Sequence, residues 1–181
     1  MKSRLYQKYQ QTAVPALMAD FQLANRLAVP RLRQVSINVG INSRNTDGNL
    51  IDAVEANLKR ITGQQPVRTK AKQAISAFKI REGLVVGVKV TLRGQRMYDF
   101  LDKLINITLP RIRDFRGLSE KNVDRQGNLT IGFKEHNVFP EIKSDEVEKI
   151  HGLEVSIGTS AGDHQRGLAL FKLLGFPFQK K

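Results

Sequence analysis

Residues 33 to 41 alternate without a break: Val35, Ile37, Val39 and Ile41 fall on one side, Gln34, Ser36, Asn38 and Gly40 on the other. A helix cannot use that period, whereas a strand buried on one face requires it. The chain must therefore build a sheet with one wet face, and other elements must cover the opposite one. The polar row is small and uncharged, which leaves room for something to lie close against it.

The remaining segments supply the cover and the partner strands. Leu5, Tyr9, Val14, Leu17, Met18 and Phe21 form a helical stripe interrupted at Pro15. Proline fits a first turn, so a short leading helix is expected, then a second from about Val14 to Leu27. Asn42 to Asn49 is a dense cluster of turn and cap residues. Leu50, Val54, Leu58 and Ile61 then follow as an amphipathic stripe, with Gly63 as its stop. Pro66 to Thr69 begins a second strand. After Gly83, Val86, Val88, Val90 and Leu92 face inward, while Gly87, Lys89, Thr91 and Arg93 face out. Gln95 to Leu109 is a helix stopped by Pro110; Asn128 to Phe133 is a strand; Glu141 to Gly152 is a connection with room for a short helix. Leu153, Val155 and Ile157 alternate as a last strand. A final helix opens at Asp163 or His164 and ends at Gly175, after which Phe176-Pro177-Phe178 folds back onto the body. The βαβα rhythm of a parallel sheet is missing. The expected class is α+β: a mainly antiparallel sheet of about four to five strands, helices packed on one face, and a long basic loop between two strands. No repeat or linker justifies a cut, so residues 1–181 are read as one domain.

That loop is Arg68 to Gly83, RTKAKQAISAFKIREG, in which Arg68, Lys70, Lys72, Lys79 and Arg81 all precede the first acid, Glu82. Ile75, Phe78 and Ile80 fit neither period, and loops of this length inside a domain are uncommon and usually functional or disordered. Two readings stand here: a finger pushed into a polyanion, with lysines on phosphates and Phe78 stacking, or a solvated, mobile loop. The whole-chain charge bears on the choice. Thirty Lys+Arg against 17 Asp+Glu leave a net +13, which favours nucleic acid or an anionic membrane as partner. Membrane fits less well, because no apolar run approaches the ~20 residues of a spanning helix and the cations are spread over strands and loops. The start lacks the apolar core of a signal peptide. With no cysteine there is no disulfide or thiolate site, and a cytoplasmic setting is the default.

Catalysis finds no support. His136, His151 and His164 are scattered without a second ligand at metal spacing, and read as surface or capping residues. No nucleophile-elbow, zinc-protease, phosphate-loop or dinucleotide pattern occurs. Asp99 and Asp102 share a helix face but sit beside Arg96 and Lys103, which suits local ion pairs. No cofactor, metal or catalytic residue is expected. Binding is better served. Asn38, Lys89, Thr91 and Arg93 put amide, hydroxyl and cation on strand faces, the groups that meet phosphates, 2′-hydroxyls and base edges. PRIRDFRGL (Pro110 to Leu118) adds Arg111, Arg113 and Arg116 around Asp114, which is expected to tie down one of them. A non-specific basic module remains a rival reading, since phosphate contacts carry no sequence information.

The chain as a whole resembles the bacterial-type large-subunit ribosomal protein number five family, the 5S-rRNA-binding proteins of the central protuberance. The resemblance rests on SINVG (36–40), TGQQP (62–66), TKAKQAISAFKIREG (69–83), GVKVTLRGQRMYDFLDKLI (87–105), LPRIRDFRGLS (109–119), GNLTIGFKEHNVFPEI (127–142) and GFPF (175–178). It implies that Asn38, Gln64 and Thr91 belong to a 5S rRNA recognition surface, with the neighbouring cations, Lys89 and Arg93 among them, on phosphates. It implies that Lys70 to Gly83 reaches the P-site tRNA, with Lys70, Lys72, Gln73, Ser76, Phe78, Lys79 and Arg81 as contacts. It implies that Arg111, Arg113, Asp114 and Arg116 join an intersubunit bridge to a small-subunit head protein. The other implied partners are 23S-type rRNA and neighbouring 5S-binding ribosomal proteins, on a cytoplasmic or organellar ribosome. The chain departs from the family's usual pattern at Ile41 to Asn45 and at Gln65.

Overall fold

A computed structural model describes residues 3–41, 48–142 and 150–179 of the chain. Five strands, β1 (Leu32–Gly40), β2 (Val67–Lys70), β3 (Val85–Leu92), β4 (Leu129–Phe133) and β5 (Leu153–Thr159), form one sheet in the order β2-β3-β1-β5-β4. The sheet is antiparallel and the fold α+β. The period-2 patterns become rows: on β1, Val35 and Ile37 are fully buried and Val39 nearly so, while Asn38 and Gly40 are exposed. Each such buried side chain contributes about 1.5–3 kcal/mol, so a register slip would turn the whole apolar row to water. On β3, Val88, Val90 and Leu92 are buried and Lys89 is exposed.

Contacts divide the chain into two compact units: residues 1–35, 92–131 and 156–181, and residues 36–91 and 132–155. In the first, α1 (Arg4–Lys8) and α2 (Val14–Asp20) are joined by a π-helical turn, Tyr9–Ala13. α2 opens at Val14 with Pro15 in its first turn, as expected, but the π-helical turn keeps the chain helical between the two pieces where an interruption was expected. The helix stops at Asp20 and not near Leu27; Gln22 takes a left-handed φ of 50°, and Arg26–Ala28 form a separate 3-10 turn. In the same unit α4 (Gly94–Lys103) runs on through a second π-helical turn, Leu104–Thr108. α5 (His164–Leu174) ends at Gly175, φ 98°, and Phe176 folds back to meet Phe171 edge-on at 5.2 Å.

In the second unit α3 (Gly48–Thr62) buries Ile51, Val54, Leu58 and Ile61. The stripe begins at Ile51, with Leu50 half-buried. Gly63 closes the helix at φ 66°, a backbone that glycine enters without a Cβ penalty. Most of the turn cluster at 42–49 and most of the connection at 141–152, with its room for a short helix, fall outside the described residues.

Candidate nucleic-acid interface

β2 runs antiparallel to β3, with Val67 opposite Lys89, Arg68 opposite Val88, Thr69 opposite Gly87 and Lys70 opposite Val85. Alternation then sorts the side chains: Gly87, Lys89 and Thr91 share one row, with Val67 and Thr69 beside them. This is the wet row, with Lys89 exposed and Thr91 half-buried, and Asn38 is exposed on the wet row of β1. Gly87 is where the strands crowd. A Cβ there would lie 2.7 Å from the Val39 carbonyl oxygen and 3.0 Å from Thr69 Oγ1. Gly87 itself is buried by that crowding, and Lys89 is the exposed side chain of the row.

The Gly63–Gln65 turn precedes β2, and antiparallel pairing puts it at the Thr91 end of β3. Thr62 shapes that turn: its hydroxyl donates to the Leu58 carbonyl at 2.6 Å and accepts from the Gln64 N–H at 3.3 Å. The Gln64 side-chain amide donates to the Gly63 carbonyl at 3.1 Å, which holds the residue half-buried beside the strand. Arg93 is an exposed member of the other unit, where its guanidinium donates to Gln34 Oε1 at 2.8 Å.

The opposite end of the β2–β3 pair carries the basic stretch, which is ordered as a second, smaller hairpin. Ala71 and Leu84 hold its base through Ala71 N–H to Leu84 O at 2.8 Å and Gly83 N–H to Ala71 O at 3.0 Å. Ile75 and Ile80 exchange both backbone bonds, 2.8 and 3.1 Å, around the 3-10 turn Ser76–Phe78. Lys79 completes the turn in the left-handed region, φ 54° and ψ 34°. This accounts for the mixed periodicity: one bridge closes around one turn. The tip side chains remain outward, with Phe78 65% and Ile75 45% exposed, and Lys70, Lys72, Gln73, Ser76, Lys79 and Arg81 exposed as well. Lys70, Lys72, Lys79 and Arg81 have no ion-pair partner among the described residues.

Arg68 does not belong with them. It points to the other side of the sheet, where Nε meets Glu55 at 2.7 Å and an Nη meets Asp52 at 2.6 Å. The Glu55 hydrogen bond in particular raises its pKa. Glu55 also accepts from Gln65 at 2.6 Å. Asp52 and Glu55 stand three apart on α3, and that spacing was the available sign that a nearby cation would be neutralised.

In the first unit, Arg111 ends the 3-10 turn Leu109–Arg111 and Arg113 and Arg116 follow it, all three exposed. Asp114 pairs with none of them among the described residues; its backbone makes a left-handed turn, φ 54°, which separates the side chains. The segment is pinned behind Arg116: Leu118 bridges Phe178, and Gln179 N–H donates to Leu118 O at 3.0 Å.

Two of the three histidines depart from expectation, while His164 opens α5 as a residue at a helix end. His136 is fully buried and stacks on His151, ring centroids 3.9 Å apart and planes 5° from parallel. The His151 N–H donates to His136 Nδ1 at 3.3 Å. Burial above all, then the neighbouring His136, pushes His151 down to about 4, and burial likewise lowers His136. A separation of 15 positions in the chain hid the pair from any local pattern. No group of three or more His, Cys, Asp or Glu suited to a metal occurs among the described residues, and no described helix is long and apolar enough to cross a membrane.

Comparison with known proteins places both halves of the chain in one family. Residues 25–81 match the family described as Ribosomal protein L5, and residues 85–178 match the ribosomal L5P family C-terminus. The large ribosomal subunit protein uL5 of Halothermothrix orenii is 51% identical over 178 residues, covering 98% of this chain and 99% of that one. The protein of the same name from Roseiflexus sp. is 49% identical over 179 residues, 99% of each. That of Mycoplasma mycoides subsp. mycoides is 46% identical over 180 residues, 99% of this chain and 100% of the relative.

Proposed function

Because this chain belongs to the ribosomal protein L5 family, we propose that the two ends of its β2–β3 hairpin divide RNA recognition between them. The protein is a structural, non-enzymatic constituent of the large ribosomal subunit, with rRNA among its partners and the cytoplasmic ribosome as its setting. In the finer reading, Asn38, Gln64, Thr91 and Lys89, joined by Arg93, take 5S rRNA, and the chain helps to seat it in the central protuberance against 23S-type rRNA and neighbouring 5S-binding proteins. The basic tip, Lys70, Lys72, Gln73, Ser76, Phe78, Lys79 and Arg81, takes the P-site tRNA. Arg111, Arg113, Asp114 and Arg116 meet a small-subunit head protein across the subunit interface. The whole chain acts as one RNA-binding domain, since both family-matched halves contribute strands to one sheet.

One observation carries this reading: the hairpin's ends differ in chemistry. At the Thr91 end short polar groups, Gln64 and Thr91, stand half-buried near the exposed Lys89, a mixture suited to reading base and sugar edges as well as phosphate. At the tip they are unpaired cations on an ordered turn, suited to phosphate. Between Val85 and Thr91 lie six strand steps, about 20 Å, which sets the two chemistries apart along the hairpin. The test is a competition titration at near-physiological salt, with labelled 5S rRNA challenged by tRNA and by a structured RNA of equal length. A preference for 5S rRNA by orders of magnitude is expected. Equal competition by all three means that charge alone binds, and removes the assignment of Asn38, Gln64 and Thr91.

A further inference from the structure

The chain has three tyrosines and no tryptophan, and all three tyrosines line one cavity of about 620 Å³ in the first unit. Tyr6 is central, 5.0 Å from Tyr98 in an edge-on contact and 6.4 Å from Tyr9. Two of the hydroxyls are spoken for: Tyr9 donates to the Pro30 carbonyl at 3.0 Å, and Tyr6 accepts from Gln10 at 2.6 Å. The Tyr98 hydroxyl has no protein partner among the described residues.

Arg26, Arg31 and Arg33 line the same cavity, and no aspartate or glutamate does. All three arginines are exposed, and none of their guanidiniums has a hydrogen-bond or ion-pair partner among the described residues. They are held in place by backbone. Asn25 caps the turn that carries Arg26 by accepting from Leu27 N–H at 2.8 Å. Arg31 is gripped from both sides, its N–H donating to Ser160 Oγ at 3.0 Å and its carbonyl accepting from Ser160 N–H at 2.9 Å. Leu27, 86% exposed, lines the cavity too.

A half-exposed aromatic, a cluster of unneutralised guanidiniums and an apolar side chain in a concavity are the parts that take an unstacked nucleotide. The size lies within the roughly 300–1,000 Å³ of ordinary ligand sites. We propose that this tyrosine–arginine cavity binds a single looped-out nucleotide of RNA, its base against Tyr6 and its flanking phosphates on Arg26, Arg31 and Arg33. An acidic peptide is the rival occupant. It would satisfy the arginines, but it would leave the ring without a stacking partner and the Tyr98 hydroxyl unpaired. A base has edge atoms for that hydroxyl as well as a face for the ring. The site lies wholly within the first unit and does not depend on the 5S rRNA and tRNA assignments above.

The test uses the full chain labelled with carbon-13 in its tyrosine rings, whose three signals all report on this cavity. Titration with an adenylate trinucleotide is expected to move the Tyr6 and Tyr98 signals saturably, and adenosine, lacking phosphate, to bind more weakly. Tyr6→Ala should weaken trinucleotide binding about tenfold. Arg26→Gln with Arg33→Gln, both at exposed positions, should weaken it and lower the slope of log affinity on log salt by about 1.4. These arginine changes should leave 5S rRNA affinity intact, which separates this site from the sheet face. Unmoved tyrosine signals, or a trinucleotide affinity unchanged in both variants, would overturn the proposal. Tighter filling of the cavity by a glutamate-rich peptide would hand the site to the rival.

Discussion

Gly87 and the His136–His151 pair show how much single residues decide here. Gly87 leaves no room for a methyl group, because the nearest atom to a Cβ, at 2.7 Å, is the Val39 backbone oxygen. Gly87→Ala is therefore expected to destabilise the protein by about 1–3 kcal/mol, read as a lowered denaturation midpoint, and to roughen the face beside Lys89 and Thr91. The histidine pair sets a pH limit. Both folded-state pKa values lie below the usual 6.5, His151's at about 4, so below pH 6.5 the unfolded chain takes up protons that the folded one refuses. The stabilisation is complete above about pH 6.5 and is lost as pH falls toward 4. Urea midpoints measured across that window should drop, and His151→Phe should flatten the drop; an unchanged slope would mean that other groups govern it. Neither residue's role was legible beforehand. A strand glycine and two distant histidines become special only through what the fold sets beside them.

At the scale of elements, periodicity was a sound guide wherever one face is buried. β1, β3, β5 and α3 lie where the apolar spacing put them. It misled where the backbone leaves a regular geometry: the π-helical turn joining α1 to α2, and the hairpin tip, whose decisive residue is a lysine at φ 54°. No residue type announces that conformation except glycine or asparagine. The tip therefore needs variants that separate charge from shape. Lys79→Asn keeps a residue tolerant of the left-handed region while removing the cation; tRNA affinity should lose about 0.7–0.9 units of salt slope with 5S rRNA affinity nearly unchanged. Equal loss on both RNAs would refute the division of labour. Arg68→Gln supplies the contrast. Its charge is already balanced by Asp52 and Glu55, so the slope should barely move, whereas Lys70→Gln should lower it by about as much as the Lys79 change.

For the molecule as a whole, composition said that the partner is a polyanion and could say little more. Net charge gives no address; the location of the unpaired cations does, and that depends on which arginines and lysines the fold pairs with acids. The sheet order also carries a consequence for how the protein is made. β5 stands between β1 and β4, so during synthesis β4 emerges with no strand yet available to join it to the others. Its edge must wait until residues 153–159 leave the ribosome, and the Leu118–Phe178 bridge waits longer still. Non-local closure of this kind slows folding and leaves strand edges open meanwhile. A nascent chain stalled just short of residue 153 should accordingly be more prone to proteolysis and aggregation than one released past residue 179.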